Sequence, residues 1–217
     1  MLNQTHKTHF FTCCDFLNLQ PPHDCWEKIA FYIERLIAGN AHVNLIGTSD
    51  PYRIISRHIA DSLAAVTWIQ PNDTIIDIGT GAGLPGLIIR MWYPEVQLTL
   101  VDSKNKKIAF LENVIRDLDL TKTNAVWSRV EDLHAHPEFS RKYDTALTRA
   151  VGPVQQTLKL LTPLLHPKGR AIFYAGKKAE KNQKEVINYL KKSAVSNWNF
   201  MPYRIQKDEG CLVICQL

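Results

Sequence analysis

Residues 75–86, from Ile75 to Gly86, constrain the fold more than any other stretch of the chain. An apolar run, Ile75-Ile76-Asp77-Ile78, carries one acid. Glycines at 79, 81, 83 and 86 then alternate with small residues, and a helical pattern follows. Such a run reads as a buried parallel strand that feeds a tight turn and the start of a helix. Glycine suits that turn because the backbone must bend sharply and a ligand can approach where no Cβ stands in the way.

Two nucleotide ligands fit the pattern. Gly81, Gly83 and Gly86 satisfy G-x-G-x-x-G, and Asp102 follows about 20 residues on, as a dinucleotide site requires. The spacing Asp77-x-Gly79-x-Gly81-x-Gly83 also resembles the first motif of methyltransferases that use S-adenosylmethionine (SAM). A pyrophosphate wants helix N–H donors and no neighbouring anion. SAM has no phosphate and carries a sulfonium and an ammonium, so a carboxylate at the strand end favours it. Asp102 serves either ligand, since both offer a ribose diol.

The chain has 217 residues, 45% of them hydrophobic, enough for one well-buried core and too few for two large domains. The net charge of +5 permits a nucleic-acid partner without demanding one. Five cysteines, two of them adjacent at 13 and 14, read as reduced thiols. The spacing of His9, Cys13, Cys14, His23 and Cys25 matches no familiar ligand pair, so no metal is expected. No stretch is long enough to span a membrane or to form a signal-peptide core.

Residues 1–20 show little periodicity and either begin a helix near Asp15 or stay loose. A helix runs from an Asp24 cap, with Trp26, Ile29, Ile33 and Leu36 on one face, and is stopped by Gly39. Asp50-Pro51 opens a second helix, on which His58 and Asp61 share a face with Ser62. Beyond Asp73 the chain alternates. Strands are expected at 75–78, 96–102, 124–129, 143–148 and 170–175. The helices between them begin at Gly83, at a Ser103 cap and at Pro153. A charged helix is expected at about 179–193. Phe200–Ile205 and Cys211–Cys215 form an antiparallel hairpin joined by Lys207 to Gly210.

The expected fold is therefore α/β: a doubly wound, mostly parallel, seven-stranded Rossmann-like sheet with a terminal antiparallel hairpin. Residues 1–70 form an N-terminal helical extension and residues 71–217 the core, within a single domain. Ligands of such sheets bind outside the carboxyl ends of the strands, and Asp77, Asp102, Glu131, Arg149 and Lys177 all fall on that edge. Lys104, Lys106 and Lys107 crowd the first turn of one helix against its dipole and form a basic rim beside the same mouth.

Several segments together resemble the RsmG (GidB) family, the small-subunit ribosomal RNA guanine-N7 methyltransferases. They are Asn44-Leu45, Arg57-His58 through Leu63, Asp77 through Gly86, Leu100 through Ser103 with Lys106-Lys107, Ser128 through Glu131, Arg149-Ala150 and Gly176-Lys177, in matching order over residues 26–217. The resemblance implies a cytoplasmic SAM-dependent enzyme that methylates N7 of one guanine in the decoding-region loop of 16S rRNA, with 16S rRNA or the 30S subunit as its partner; a monomer is the expected state, and the form of the RNA substrate stays open. It places cofactor contacts at Gly79, Leu84, Val130, Glu131 and Arg149; Gly81, Gly83 and Asp102 follow from general SAM-site logic. Asn44, Arg57, His58, Asp61 and Ser62 match family positions near the same pocket. Asn44, His58, Asp61, Arg149 and Lys177 are the positioning candidates, and no residue is assigned as a general base. The chain departs from the family pattern at Gly39, at Ile46 in place of Thr, and at Gly210-Cys211 and Cys215-Gln216, where basic residues are common.

Overall fold

Side-chain alternation along the strands divides the core into two layers. In strand β1 (Thr74–Ile78), Ile75 packs into one layer while Ile76 and Ile78 pack into the other, as a period of two requires. The computed structural model describes residues 2–176 and 182–217.

The seven strands β1, β2 (Gln97–Asp102), β3 (Thr123–Trp127), β4 (Tyr143–Arg149), β5 (Leu165–Tyr174), β6 (Asn197–Ile205) and β7 (Asp208–Gln216) make one sheet. Their order is β3-β2-β1-β4-β5-β7-β6. Strands β1 to β5 run parallel to their neighbours, whereas β7 lies antiparallel to both β5 and β6. The order reverses between β1 and β4, so the crevice above that pair is where a ligand belongs.

One layer is built by α5 (Gly86–Trp92), α6 (Asn105–Asp117) and the helices that precede β1, with Leu87, Ile88 and Leu111 buried against Ile75, Leu98 and Leu100. The other holds α7 (Val130–Leu133), α8 (Val154–Leu161) and α9 (Gln183–Leu190), whose Leu133, Leu158 and Leu190 cover Ile76, Ala171 and Val213. The α9 helix is the described part of the charged helix expected at 179–193.

The N-terminal region departs from expectation in instructive ways. Helix α1 spans Gln4–Phe16, although the sequence pattern there looked weak. A capping box starts it: the Asn3 side chain accepts the His6 N–H at 3.3 Å, and His6 Nδ1 accepts the Asn3 N–H at 3.1 Å. Its buried face is only Phe10, Cys13 and Cys14, one turn of apolar residues among polar ones. Helix α2 (Cys25–Asn40) runs through Gly39 rather than stopping there. Gly39 is small because Phe110 of α6 lies against it: an added Cβ would sit 3.0 Å from that ring. The chain turns at Asn40, whose Oδ1 accepts the N–H groups of Leu45 and Ile46 at 2.8 and 3.0 Å. Asp24 pairs with Lys28 at 2.5 Å and makes no cap bond.

The second predicted helix exists but is not uniform. Helix α3 (Pro51–Ile54) is capped by Asp50, which accepts the Tyr52 N–H at 3.0 Å. A π-helical turn, Ile55–Ala60, follows and leads into α4 (Asp61–Leu63). Such turns carry one extra residue and re-aim the side chains beyond them. Ser103 does not cap α6; the Lys104 N–H is taken by Asp102 instead, at 2.9 Å. The β6–β7 connection is tighter than the sequence implied, only Gln206-Lys207, with Gln206 at φ 54°. Gly210 accordingly lies inside β7, opposite Tyr203.

Candidate active site

The glycine turn is tied down by the protein itself. Gly79, Gly81 and Gly83 all have positive φ, at 69°, 62° and 96°. Gly79 and Thr80 donate their N–H groups to Val101 O, at 2.9 and 3.0 Å, and Gly83 and Leu84 donate theirs to Thr80 O. Asp77 is fully buried, and its Oδ2 accepts Thr80 Oγ1 at 2.7 Å and the Gly86 N–H at 2.8 Å. From the other side Tyr32 of α2 donates to Ala82 O at 2.8 Å. Burial pushes the Asp77 carboxyl up to about 6, opposed by those two hydrogen bonds.

This arrangement decides between the two ligand readings. A pyrophosphate needs free N–H donors at the turn, and those of Gly79, Thr80, Gly81, Gly83, Leu84 and Gly86 are already spent on carbonyls and carboxylates. Asp77 therefore shapes the turn from beneath and does not border the ligand, in contrast to its expected place on the open edge.

Above the turn, at the carboxyl ends of β1, β2, β3 and β4, lies a cavity of about 490 Å³. Gly79, Asp102, Val130, Glu131 and Arg149 line it, five of the residues singled out in the sequence. Asp102 ends β2, with Oδ2 accepting the Gly81 N–H at 2.9 Å and Oδ1 accepting Lys104 N–H. Lys107 Nζ stands 3.7 Å from that carboxylate. Each carboxylate oxygen keeps lone-pair capacity for a ribose diol. Ala150, at φ 57°, turns the chain so that Val151 closes over Gly79, where a Cβ would sit 2.4 Å from Val151 Cγ2. The volume and the strand-end acid fit a nucleoside sulfonium.

Beside this cavity Arg149, the last residue of β4, gathers the π-helical turn. Its Nη2 donates to Arg57 O at 3.0 Å and to His58 Nδ1 at 3.3 Å, and it pairs with Asp61 Oδ2 at 3.3 Å. Arg149 Nη1 is buried with no hydrogen-bond partner among the described residues. His58 therefore accepts at Nδ1 and stays neutral: burial, then the cations of Arg149 and Arg57, push its imidazole down to about 4. Burial raises the Asp61 carboxyl, and the Arg149 charge opposes that rise.

The remaining predicted residues stand apart from the cavity lining. Gly83 lies under Leu87 and Leu111, and Leu84 is buried in the core beneath the turn. Asn44 is exposed in the turn held by Asn40. Ser62 donates back to His58 O at 2.6 Å within its own helix. Lys177 falls outside the described residues. Two residues escaped the sequence reading: Tyr203 of β6, which donates to Asp61 Oδ1 at 2.5 Å, and Asp208 of β7, which pairs with Arg57 at 2.9 Å. The signal for Tyr203 was present as a large aromatic that a hairpin register sets opposite a glycine.

All five cysteines are buried thiols outside any disulfide. Burial pushes the Cys13 thiol up to about 11 and the Cys25 thiol up to about 12, which leaves them inert.

The strand order, the glycine turn and the acid that ends β2 define a Rossmann-like methyltransferase. The same fold is found in TYW2 from M. jannaschii, solved in complex with AdoMet, with a TM-score of 0.56 at 11% identity over 73% of this chain and 74% of that one. The chain belongs to the GidB family, described as rRNA small subunit methyltransferase G, which it matches over residues 26–207. Ribosomal RNA small subunit methyltransferase G of Desulfitobacterium hafniense (strain Y51) is 38% identical over 175 residues, 81% of this chain and 72% of that protein. The protein of the same name from Nostoc punctiforme is 39% identical over 166 residues, 74% of this chain and 68% of that protein. Among the described residues no helix is long and apolar enough to cross a membrane.

Proposed function

We propose that this chain transfers the methyl group of SAM to N7 of one guanine in the decoding-region loop of 16S rRNA, acting on the small ribosomal subunit. Family membership supports the reaction class and the RNA. The observation that supports the cofactor is local: a turn with the N–H groups of Gly79, Thr80, Gly81, Gly83, Leu84 and Gly86 spent, and a carboxylate, Asp102, on the cavity wall. We further take the protein to act as a cytoplasmic monomer, with residues 1–70 as a helical extension of a methyltransferase core at 71–217.

In this reading Asp102 accepts the ribose hydroxyls. The backbone at Val130 and the Glu131 side chain border the adenine, and Gly79 keeps the wall thin enough for close approach. When bound, SAM supplies an electrophilic methyl group. Arg149, on the cavity wall, brings its guanidinium charge toward an anion, either the cofactor carboxylate or the O6 and phosphate groups of the RNA. Guanine N7 already carries a lone pair outside the pairing edge, so no proton has to leave before attack. The protein's contribution is then proximity and alignment. His58 is no general base here, because its Nδ1 already receives a proton donor from Arg149.

The decisive experiment incubates the protein with labelled SAM and small subunits from a strain that lacks the modification. Label at N7 of a single guanine in the decoding-region loop is the expected result. Wild-type protein that leaves those subunits unlabelled, or is thermally stabilised by NAD and not by SAM, would overturn the reading.

A further inference from the structure

Asp61 looks at first like a group that reads the substrate. Its geometry says otherwise. One carboxylate oxygen takes the Tyr203 hydroxyl and the other faces Arg149, so neither stands free for a nucleobase. What the pair of contacts does is fix a guanidinium.

We propose that Tyr203 is a positioning residue: its hydroxyl holds the Asp61 carboxylate, and Asp61 with the π-helical turn holds Arg149 at the cavity wall, Nη1 unspent. This rests on the methyltransferase reading and deepens it.

Three observations support it independently. Tyr203 reaches Asp61 across 142 positions of sequence, from the terminal hairpin to the N-terminal helices. The ring is seated by design of the hairpin: opposite it in β7 stands Gly210, where a Cβ would lie 2.3 Å from Tyr203 Cζ. An aromatic that crosses a glycine in this way has one place to lie. A second contact from the same hairpin, Asp208 to Arg57 at 2.9 Å, clamps the preceding residues of the π-helical turn. The Arg57 and His58 atoms that receive Arg149 Nη2 therefore belong to a segment gripped twice by β6 and β7. Gly210 thus has a physical role, as room for the tyrosine.

The charged and titratable groups facing Asp61 are Arg57 and His58 on its own helical segment, Arg149 on β4, Tyr174 on β5, Tyr203 on β6 and Asp208 on β7. Arg149 and the Tyr203 hydroxyl favour the ionised carboxylate, whereas burial and Asp208 oppose it. Loss of the hydroxyl then makes Asp61 easier to protonate and loosens Arg149.

The test uses Tyr203→Phe, which keeps the ring over Gly210, and Gly210→Ala, which keeps the hydroxyl and displaces the ring. In each, carbon-13 NMR of the aspartate carboxyls gives the Asp61 titration, calorimetry gives SAM affinity, and methyl transfer to unmodified small subunits gives kcat and KM. The expected result for Tyr203→Phe is an Asp61 midpoint raised by about one pH unit and a kcat/KM lowered roughly tenfold, with the acid limb of the pH profile moved upward. Gly210→Ala is expected to follow it. An unmoved Asp61 midpoint, or unchanged kcat/KM with unchanged SAM affinity, overturns the assignment. Wild-type protein that binds SAM in a Tyr203-dependent manner yet methylates no subunit would refute the functional reading and leave the positioning role standing. An inactive Tyr203→Phe with a normal Asp61 midpoint would refute the positioning role alone.

Discussion

Asp102 and His58 show how differently two ionisable side chains can be used a short distance apart. Asp102 keeps one edge toward the cavity while its oxygens hold Gly81 and Lys104. Replacing it with Ala is expected to weaken SAM binding about 10- to 100-fold by calorimetry, the loss of hydrogen bonds to a charged acceptor. Affinity that does not change would remove Asp102 from the site. His58 carries a prediction of opposite character. Its folded value, about 4, lies below the unfolded value near 6.5, so between those limits the unfolded chain binds more protons. The contribution of the neutral imidazole is complete above pH 6.5 and is lost as pH falls toward 4. Asp77, raised to about 6, has the opposite sign and gains stability on acidification. The two partly cancel in the wild type. Comparing thermal midpoints of wild type and His58→Asn removes that overlap: wild type should lose ground to the variant as pH drops from 7 to 4.5. A constant difference would show that the imidazole is not held neutral.

Among the elements, α1 teaches most about what a sequence pattern conveys. Its buried face is three residues long and its cap uses Asn and His in place of the commoner Ser and Glu, so periodicity scarcely registers. Tertiary contact makes it stable: Phe10 is fully buried and meets Trp26 with ring centroids 5.4 Å apart. Thr5 Oγ1 and His9 Nε2 reach Tyr52 at 3.0 and 3.3 Å, which braces the start of the helix that becomes the π-helical turn. Phe10→Ala should therefore cost about 3–5 kcal/mol in urea denaturation. A loss below about 1 kcal/mol would mean that α1 is not part of the folded core. The parallel strands, by contrast, were legible from their continuous apolar runs, and their helices from stripes such as Ile108, Leu111 and Val114. The π-helical turn was not legible. One extra residue in a turn leaves no mark on composition and is set by what Arg149 and Asp208 grip.

At the level of the whole molecule, local pattern predicted the layers and the strand-end site well, because alternating strand and helix units leave few topologies open. Asp102, Glu131 and Arg149, expected at the strand-end edge from their positions after apolar runs, line the cavity there, whereas Asp77, expected beside them, lies beneath the turn. Tyr203 and Asp208 were missed because their partners lie some 150 residues away, and only the closed sheet brings them together. The placement of β7 has a consequence of its own. Of the seven strands it is the last in the chain, yet it occupies an interior position, between β5 and β6. Until β7 is threaded into that slot, β6 has no strand to pair with and its tyrosine cannot reach Asp61. Without β7 in its slot the edge formed by β1 to β4 would stand complete while Asp61 lacked its contact to Tyr203, so the carboxyl ends of the parallel strands depend on the antiparallel pair for their last contact.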